Sequence, residues 1–178
     1  MNVAVYLGSA IGKSEKIKKE TEELGKRLGE NKFTLIYGGS NTGLMNVLAS
    51  STKNNGGKVI GVEIPLFHKQ GYSFEHCDEF ILSKDLSERK KTMMEKANAF
   101  IALPGGIGTL DEISEVICLD SLNEKQKPIF FLNTDGFYDD LKKQLEKMVD
   151  FGFLKKEYLD TIYFADDVTD LFRQLLKK

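Results

Sequence analysis

The sequence has no tryptophan, and only two cysteines, two histidines and three prolines in 178 residues. Two cysteines, Cys77 and Cys118, cannot build the disulfide framework of a small secreted domain. His68, His76 and Cys77 stand close together, but at no metal-ligand spacing, and they read as ordinary loop residues. Neither sign of charge dominates: 25 Lys+Arg against 27 Asp+Glu leaves −2. A chain so near neutrality has no general attraction for nucleic acid or for an anionic membrane, so any anion site must be local. No apolar run approaches the ~20 residues that span a bilayer. Met1-Asn2-Val3 leads directly into an apolar run, with no basic leader, so a cytoplasmic protein is expected.

What remains is a globular composition, 41% hydrophobic and 29% charged. The length suits one domain over residues 1–178. Short apolar runs at 3–7, 33–37, 59–64, 79–82, 100–103, 129–132 and 162–165 predict strands. Between them, segments 14–31, 44–54, 87–97, 109–122, 138–149 and 168–176 predict helices. In the first of these Ile17, Leu24 and Leu28 recur at helical spacing. Residues 66–78 have mixed character and carry no assignment. Apolar strands alternating with helices imply an α/β fold: a Rossmann-like, doubly wound parallel sheet with helices on both faces.

Three glycine turns each follow a strand and precede a helix: Gly8-Ser9-Ala10, Gly38-Gly39-Ser40-Asn41-Thr42-Gly43, and Pro104-Gly105-Gly106-Ile107-Gly108. In a parallel sheet all such turns lie at the C-terminal edge of the strands, where ligands of doubly wound sheets bind. Each glycine alone is explained by a tight turn. Three on one edge, each leading into a helix N-terminus, point to a phosphate-bearing ligand. The chain has no G-x-x-x-x-G-K-[ST], which excludes a nucleoside-triphosphate P-loop. A dinucleotide fingerprint fits poorly, because Asp111 occupies its third glycine position and Gly38 stands where an acidic ribose binder is expected. No G-x-S-x-G elbow is present.

The chemistry-bearing residues near this edge are charged. Asp111, Glu112 and Glu115 follow the third turn, and Glu112 and Glu115 share a helix face. A carboxylate there can stabilise an oxocarbenium-like ribose or activate water. The same Glu112 also completes a capping box, Thr109-Leu110-Asp111-Glu112, in which it bonds back to the Thr109 backbone. Ser87 is a candidate cap for helix 87–97, where Arg89 and Lys90 suit a phosphate or carboxylate partner, or simply form a solvated basic face. One of Met93 and Met94 is expected in the core and the other at a pocket, and Leu44-Met45 has the same ambiguity. Cys118, within an apolar helix face, reads as core.

Residues 104–112 match the pattern PGGxGTxxE. With Arg89-Lys90 and the second glycine turn upstream, in that order, the chain resembles the LONELY GUY (LOG) family, often labelled "lysine decarboxylase-like". The resemblance implies a Rossmann-like homodimer. It also implies cleavage of the N-glycosidic bond of nucleoside 5′-monophosphates, N6-substituted or plain AMP, to free base and ribose 5-phosphate. The family's essential Arg and Glu fall on Arg89 and Glu112. Substrate-binding positions carry over to Lys90, Gly105, Gly106, Ile107, Gly108, Thr109, Leu110, Asp111 and Glu115, joined at the ligand edge by Gly8, Ser9, Gly38, Gly39, Gly43 and Met45. Ser40 and Asn46 depart from the family's glycines; the hydroxyl can still bond an anion, whereas Asn46 adds bulk where the helix starts. No metal or organic cofactor is implied. A decarboxylase would need pyridoxal phosphate on a Schiff-base lysine, and Lys90 beside Arg89 is a poor choice. Two other readings share the edge: a nucleotide sensor without turnover, and a carrier of a phosphate-bearing cofactor such as molybdenum cofactor. The partner face of the dimer is expected on helix 109–122, with Ile113, Val116, Ile117 and Cys118.

Overall fold

The computed structural model describes residues 1–123 and 125–177. Among these residues seven strands form one all-parallel sheet: β1 Asn2–Tyr6, β2 Thr34–Tyr37, β3 Lys58–Glu63, β4 Glu79–Leu82, β5 Ala99–Ala102, β6 Ile129–Leu132 and β7 Ile162–Ala165. Their spatial order is β4-β3-β2-β1-β5-β6-β7. The chain winds outward from β1 through β4, returns to the other side of β1, and winds outward again. The reversal lies between β1 and β5, paired in register from Val3–Ala99 to Tyr6–Ala102.

Alternation along the strands divides the core into two layers. Val3 and Val5 face one side, with Leu35, Val59 and Ile101. Helices α1 (Glu15–Glu30), α2 (Gly43–Asn54) and α8 (Val168–Leu175) cover this side through Leu24, Leu28, Leu48, Leu171 and Phe172. Ala4 and Tyr6 face the other side, with Ile36, Val62, Phe100 and Phe131. That side is covered by α4 (Leu86–Lys96), α5 (Ile107–Asp120), α6 (Asp139–Asp150) and the one-turn α7 (Lys156–Leu159), through Met93, Ile113, Val116, Leu145 and Tyr158. The doubly wound α/β architecture expected from the alternating pattern is therefore present.

Several details differ from the sequence reading. The unassigned stretch opens with a single helical turn, α3 (Pro65–His68), with Pro65 at its first position. One turn is too short to display a hydrophobic period. The cap of α4 is Asp85, not Ser87: the Asp85 side chain accepts from Glu88 N at 2.8 Å, and Glu88 Oε2 accepts from Lys84 N at 2.6 Å. Helix α5 starts at Ile107, two residues before the expected Thr109. Ile113 and Val116 are fully buried in this chain's own core, so neither can face a partner. Cys118, expected in the core, is exposed, because it lies on the side of α5 turned away from the sheet. Among the described residues, no helix is long and apolar enough to cross a membrane.

Candidate active site

The three glycine turns meet at the C-terminal edge, beside the strand-order reversal. Gly8 N donates to Pro104 O at 3.2 Å, which stitches the turn after β1 to the turn after β5. A Cβ at Gly105 would stand 2.1 Å from Thr109 Oγ1 and 2.9 Å from Gly8 N, so the close approach of these turns requires glycine. Gly106 and Gly108 differ. A Cβ at either would meet nothing within 4 Å, and neither has a positive φ. The fold does not need glycine at these two positions. Their missing side chains leave open space at the start of α5.

That helix start has an N-cap, Gly106, with no side-chain cap, and no acidic residue in its first turn. The first intrahelical bond runs from Leu110 N to Gly106 O, so the N–H groups of Ile107, Gly108 and Thr109 have no intrahelical acceptor. Free donors and the positive end of the helix dipole make this an anion site. The capping-box reading of Glu112 fails here. Thr109 lies inside the helix, and Glu112 Oε1 instead accepts from Arg89 Nη1 at 2.5 Å.

Arg89 is held from several sides. Its Nε donates to Val62 O at 2.8 Å, and a Cβ at Gly38 would lie 2.5 Å from its Nη2. Gly38 is thus the space in which the guanidinium lies, and Met45 Sδ borders the same space at 2.9 Å. Arg89 is 8% exposed. Burial raises the Glu112 carboxyl above the usual carboxylate range, and the Arg89 charge and hydrogen bond only partly offset this. Beside the pair, Lys90 is clamped between Asp111, at 2.9 Å, and Glu115. Its ammonium is thereby held above the ordinary lysine value, the Glu115 hydrogen bond contributing most. The Tyr6 hydroxyl at the end of β1 is buried within electrostatic reach of Glu112 and finds no partner among the described residues.

These residues border a cavity of ≈ 400 Å³ lined by Gly8, Ser9, Met45, Phe67, Arg89, Lys90, Gly106, Ile107, Gly108, Thr109, Asp111 and Glu112. A second cavity of ≈ 430 Å³ shares Ser9, Met45, Phe67 and Arg89 with it and continues to Ser40, Thr42, Glu63, Gln70 and Tyr72. Each falls within the ~300–1,000 Å³ typical of small-molecule sites. Other expected site residues lie elsewhere. Gly39 has φ +78° and packs toward Glu63 and Phe80. Gly43, at φ +52°, lies against the Ser9-Ala10 backbone, and Gly105 packs against Thr109 and Gly8 and lines neither of these cavities. Leu110 faces a separate depression with Phe137 and Leu141, and Glu115 reaches the site through Lys90. Asn46 is exposed and accepts from Ser50 Oγ at 3.1 Å, so its bulk does not enter either cavity. The Ser40 hydroxyl is engaged within its own turn, accepting from Thr42 N at 3.2 Å.

The sequence reading missed Glu63, Phe67 and Tyr72. They belong to the end of β3 and the stretch after it, which folds back over the second glycine turn. Asn41 N donates to Tyr72 O at 2.6 Å and Phe74 N to Gly39 O at 2.8 Å. The one available signal was Glu63 itself, a carboxylate at the end of an apolar strand.

Comparison with known proteins identifies the family. Residues 45–175 match the family model described as "Possible lysine decarboxylase". A probable cytokinin riboside 5′-monophosphate phosphoribohydrolase of Oryza sativa subsp. japonica is 38% identical, over 97% of this chain and 76% of its own length. A cytokinin riboside 5′-monophosphate phosphoribohydrolase of Arabidopsis thaliana is 36% identical, over 97% and 80%. Among solved structures, the molybdenum cofactor binding protein of Rippkaea orientalis superposes with a TM-score of 0.73 at 19% identity, covering 99% of this chain and 94% of that one. At that identity the likeness concerns the fold alone. The family model matched over residues 45–175 and the relatives matched over 97% of this chain establish that it belongs to the LONELY GUY (LOG) family.

Proposed function

We propose that the protein is a phosphoribohydrolase that cleaves the N-glycosidic bond of adenosine 5′-monophosphates, plain or N6-substituted, to free base and ribose 5-phosphate. The observation that carries this reading is the pairing of Glu112 with Arg89 beside an uncapped helix N-terminus that glycine leaves open. The backbone N–H groups of Ile107, Gly108 and Thr109 take the 5′-phosphate, assisted by the dipole of α5. Ribose then lies over Arg89 and Glu112. As the base departs, positive charge grows on C1′. Glu112 stabilises that charge and orients the attacking water, and Arg89 holds the carboxylate in place. The curated relatives named as phosphoribohydrolases support the same reading.

The family model's decarboxylase description finds no support in Lys90. An amine that forms a Schiff base needs a lowered pKa. Lys90 is held as an ammonium between two carboxylates. A cytoplasmic homodimer completes the proposal. With Ile113 and Val116 inside, its contact uses the outer side of α5, which carries the exposed Cys118, and the 78% exposed Leu122 just past the helix end.

The test compares kcat/KM for AMP and adenosine. Adenosine has the same base and scissile bond but lacks the anion. Losing two charge-assisted hydrogen bonds costs ~3–6 kcal/mol, or roughly 10²–10⁴-fold. Equal values for the two compounds overturn the anion-site reading. Binding of AMP without release of adenine identifies a nucleotide-binding module instead.

A further inference from the structure

The two cavities that meet at Arg89 have opposite character. The first ends at the positive helix start. The second ends at Glu63, a carboxylate only 1% exposed, at the end of β3. Oxygen Oε2 of Glu63 is occupied: Ser73 Oγ donates to it at 2.6 Å, and Ser73 Oγ is itself 2.8 Å from His68 Nδ1. Oxygen Oε1 is buried and finds no partner among the described residues. Glu63 lines the second cavity together with Met45, Phe67 and Tyr72, whose flat or flexible apolar surfaces suit a ring.

A buried carboxylate oxygen without a donor is costly unless a ligand supplies one. It also repels a phosphate. The phosphate therefore belongs at the glycine end, and the group that enters the far end must be apolar in body with an N–H at its edge. From this juxtaposition we propose that Glu63 is the specificity residue of the base pocket: its Oε1 accepts a hydrogen bond from the exocyclic amino group of a 6-aminopurine. The assignment rests on the nucleotide reading above and deepens it. An N6-substituted adenine keeps one N–H and still satisfies Oε1. A 6-oxopurine brings an acceptor against an acceptor and leaves both unpaired. The segment that carries Phe67, Tyr72 and Ser73 is the roof of this pocket, and its hydrogen bonds to the second glycine turn hold it there.

The experiment measures kcat/KM for AMP, for purine riboside 5′-monophosphate, which lacks the amino group, and for IMP, which carries an oxo group. It uses the wild-type protein and Glu63→Gln. Wild type is expected to prefer AMP over both analogues by ~10–100-fold, the value of one hydrogen bond to a charged group. In Glu63→Gln the amide can turn its NH₂ toward the ligand, so the AMP-to-IMP ratio should fall at least tenfold. A substitution that only disturbed the fold would lower all three substrates together. If Glu63→Gln does not fold, the wild-type series decides. Equal kcat/KM for AMP and purine riboside 5′-monophosphate in wild type overturns the assignment of Glu63. So does an unchanged AMP-to-IMP ratio in the variant. Either result, with AMP still cleaved, leaves the phosphoribohydrolase reading standing. Release of base from none of the three by wild type overturns both.

Discussion

Gly108→Ala separates a glycine kept for the fold from a glycine kept for a ligand. The position lies in the first turn of α5, its φ is not positive, and an added Cβ would meet nothing within 4 Å. The methyl therefore has no steric cost in the free protein. It removes backbone freedom from the unfolded chain, which stabilises by ~0.4–1 kcal/mol where the conformation is compatible. For a chain of this length that corresponds to a Tm increase of ~1–4 °C. Activity should move the other way. The open space at Gly108 borders the cavity in which the phosphate is proposed to sit. A methyl group there holds the anion off the backbone donors, and losing one charge-assisted bond costs ~1.5–3 kcal/mol, or roughly 10–100-fold in kcat/KM for AMP. Gly105→Ala is the internal control: its Cβ would collide with Thr109 Oγ1 and Gly8 N, so it should lose stability and activity together. Thermal melting and AMP turnover on the two variants make the assay. A Gly108→Ala protein with unchanged kcat/KM, or one with lowered Tm, refutes the reasoning.

Two further outcomes follow from the site and its surroundings. Glu112→Gln should lower turnover by ~10²-fold or more, as for loss of a positioned acid–base group, and should abolish an acid limb of the pH profile that lies above the ordinary carboxylate range. Because burial raises the folded-state pKa of Glu112, its contribution to stability is full below the unfolded value and is lost as pH rises through the folded value. The Tm difference, wild type minus variant, should accordingly fall from acid toward neutral pH; a constant difference or an unaltered acid limb contradicts this. For assembly, Leu122→Glu places a charge at the exposed position just past the end of α5. Light scattering should report a dimer for wild type at micromolar concentration and a monomer for the variant, and a monomeric wild type with full activity removes this dimer from the proposal.

The strand–turn–helix alternation, the three glycine turns and their common edge were legible from residues 3–165 alone, because each depends on neighbours in the chain. Apolar runs of strand length alternate with segments of helical period, and only a parallel sheet places all the turns on one side. Arg89 and Glu112 were legible as candidate site residues from their motifs. Their role as a pair was not, since it joins side chains 23 positions apart from two different helices. The capping box misled for a related reason. A local pattern names a helix start, but the glycine turn that opens toward the ligand moved that start back to Ile107 and freed Glu112 for Arg89. Which side of α5 is inside was also a tertiary matter: Ile113 and Val116 meet the sheet, and Cys118 turns away. The far end of the pocket was the least legible part. Phe67 and Tyr72 come from a stretch with no period, held over the cavity by backbone bonds to Gly39 and Asn41. The sequence by itself determined the sheet, its edge and the residues that bear charge there; packing alone decided which of those charges are buried, which are paired, and that Glu63 Oε1 has no partner among the described residues.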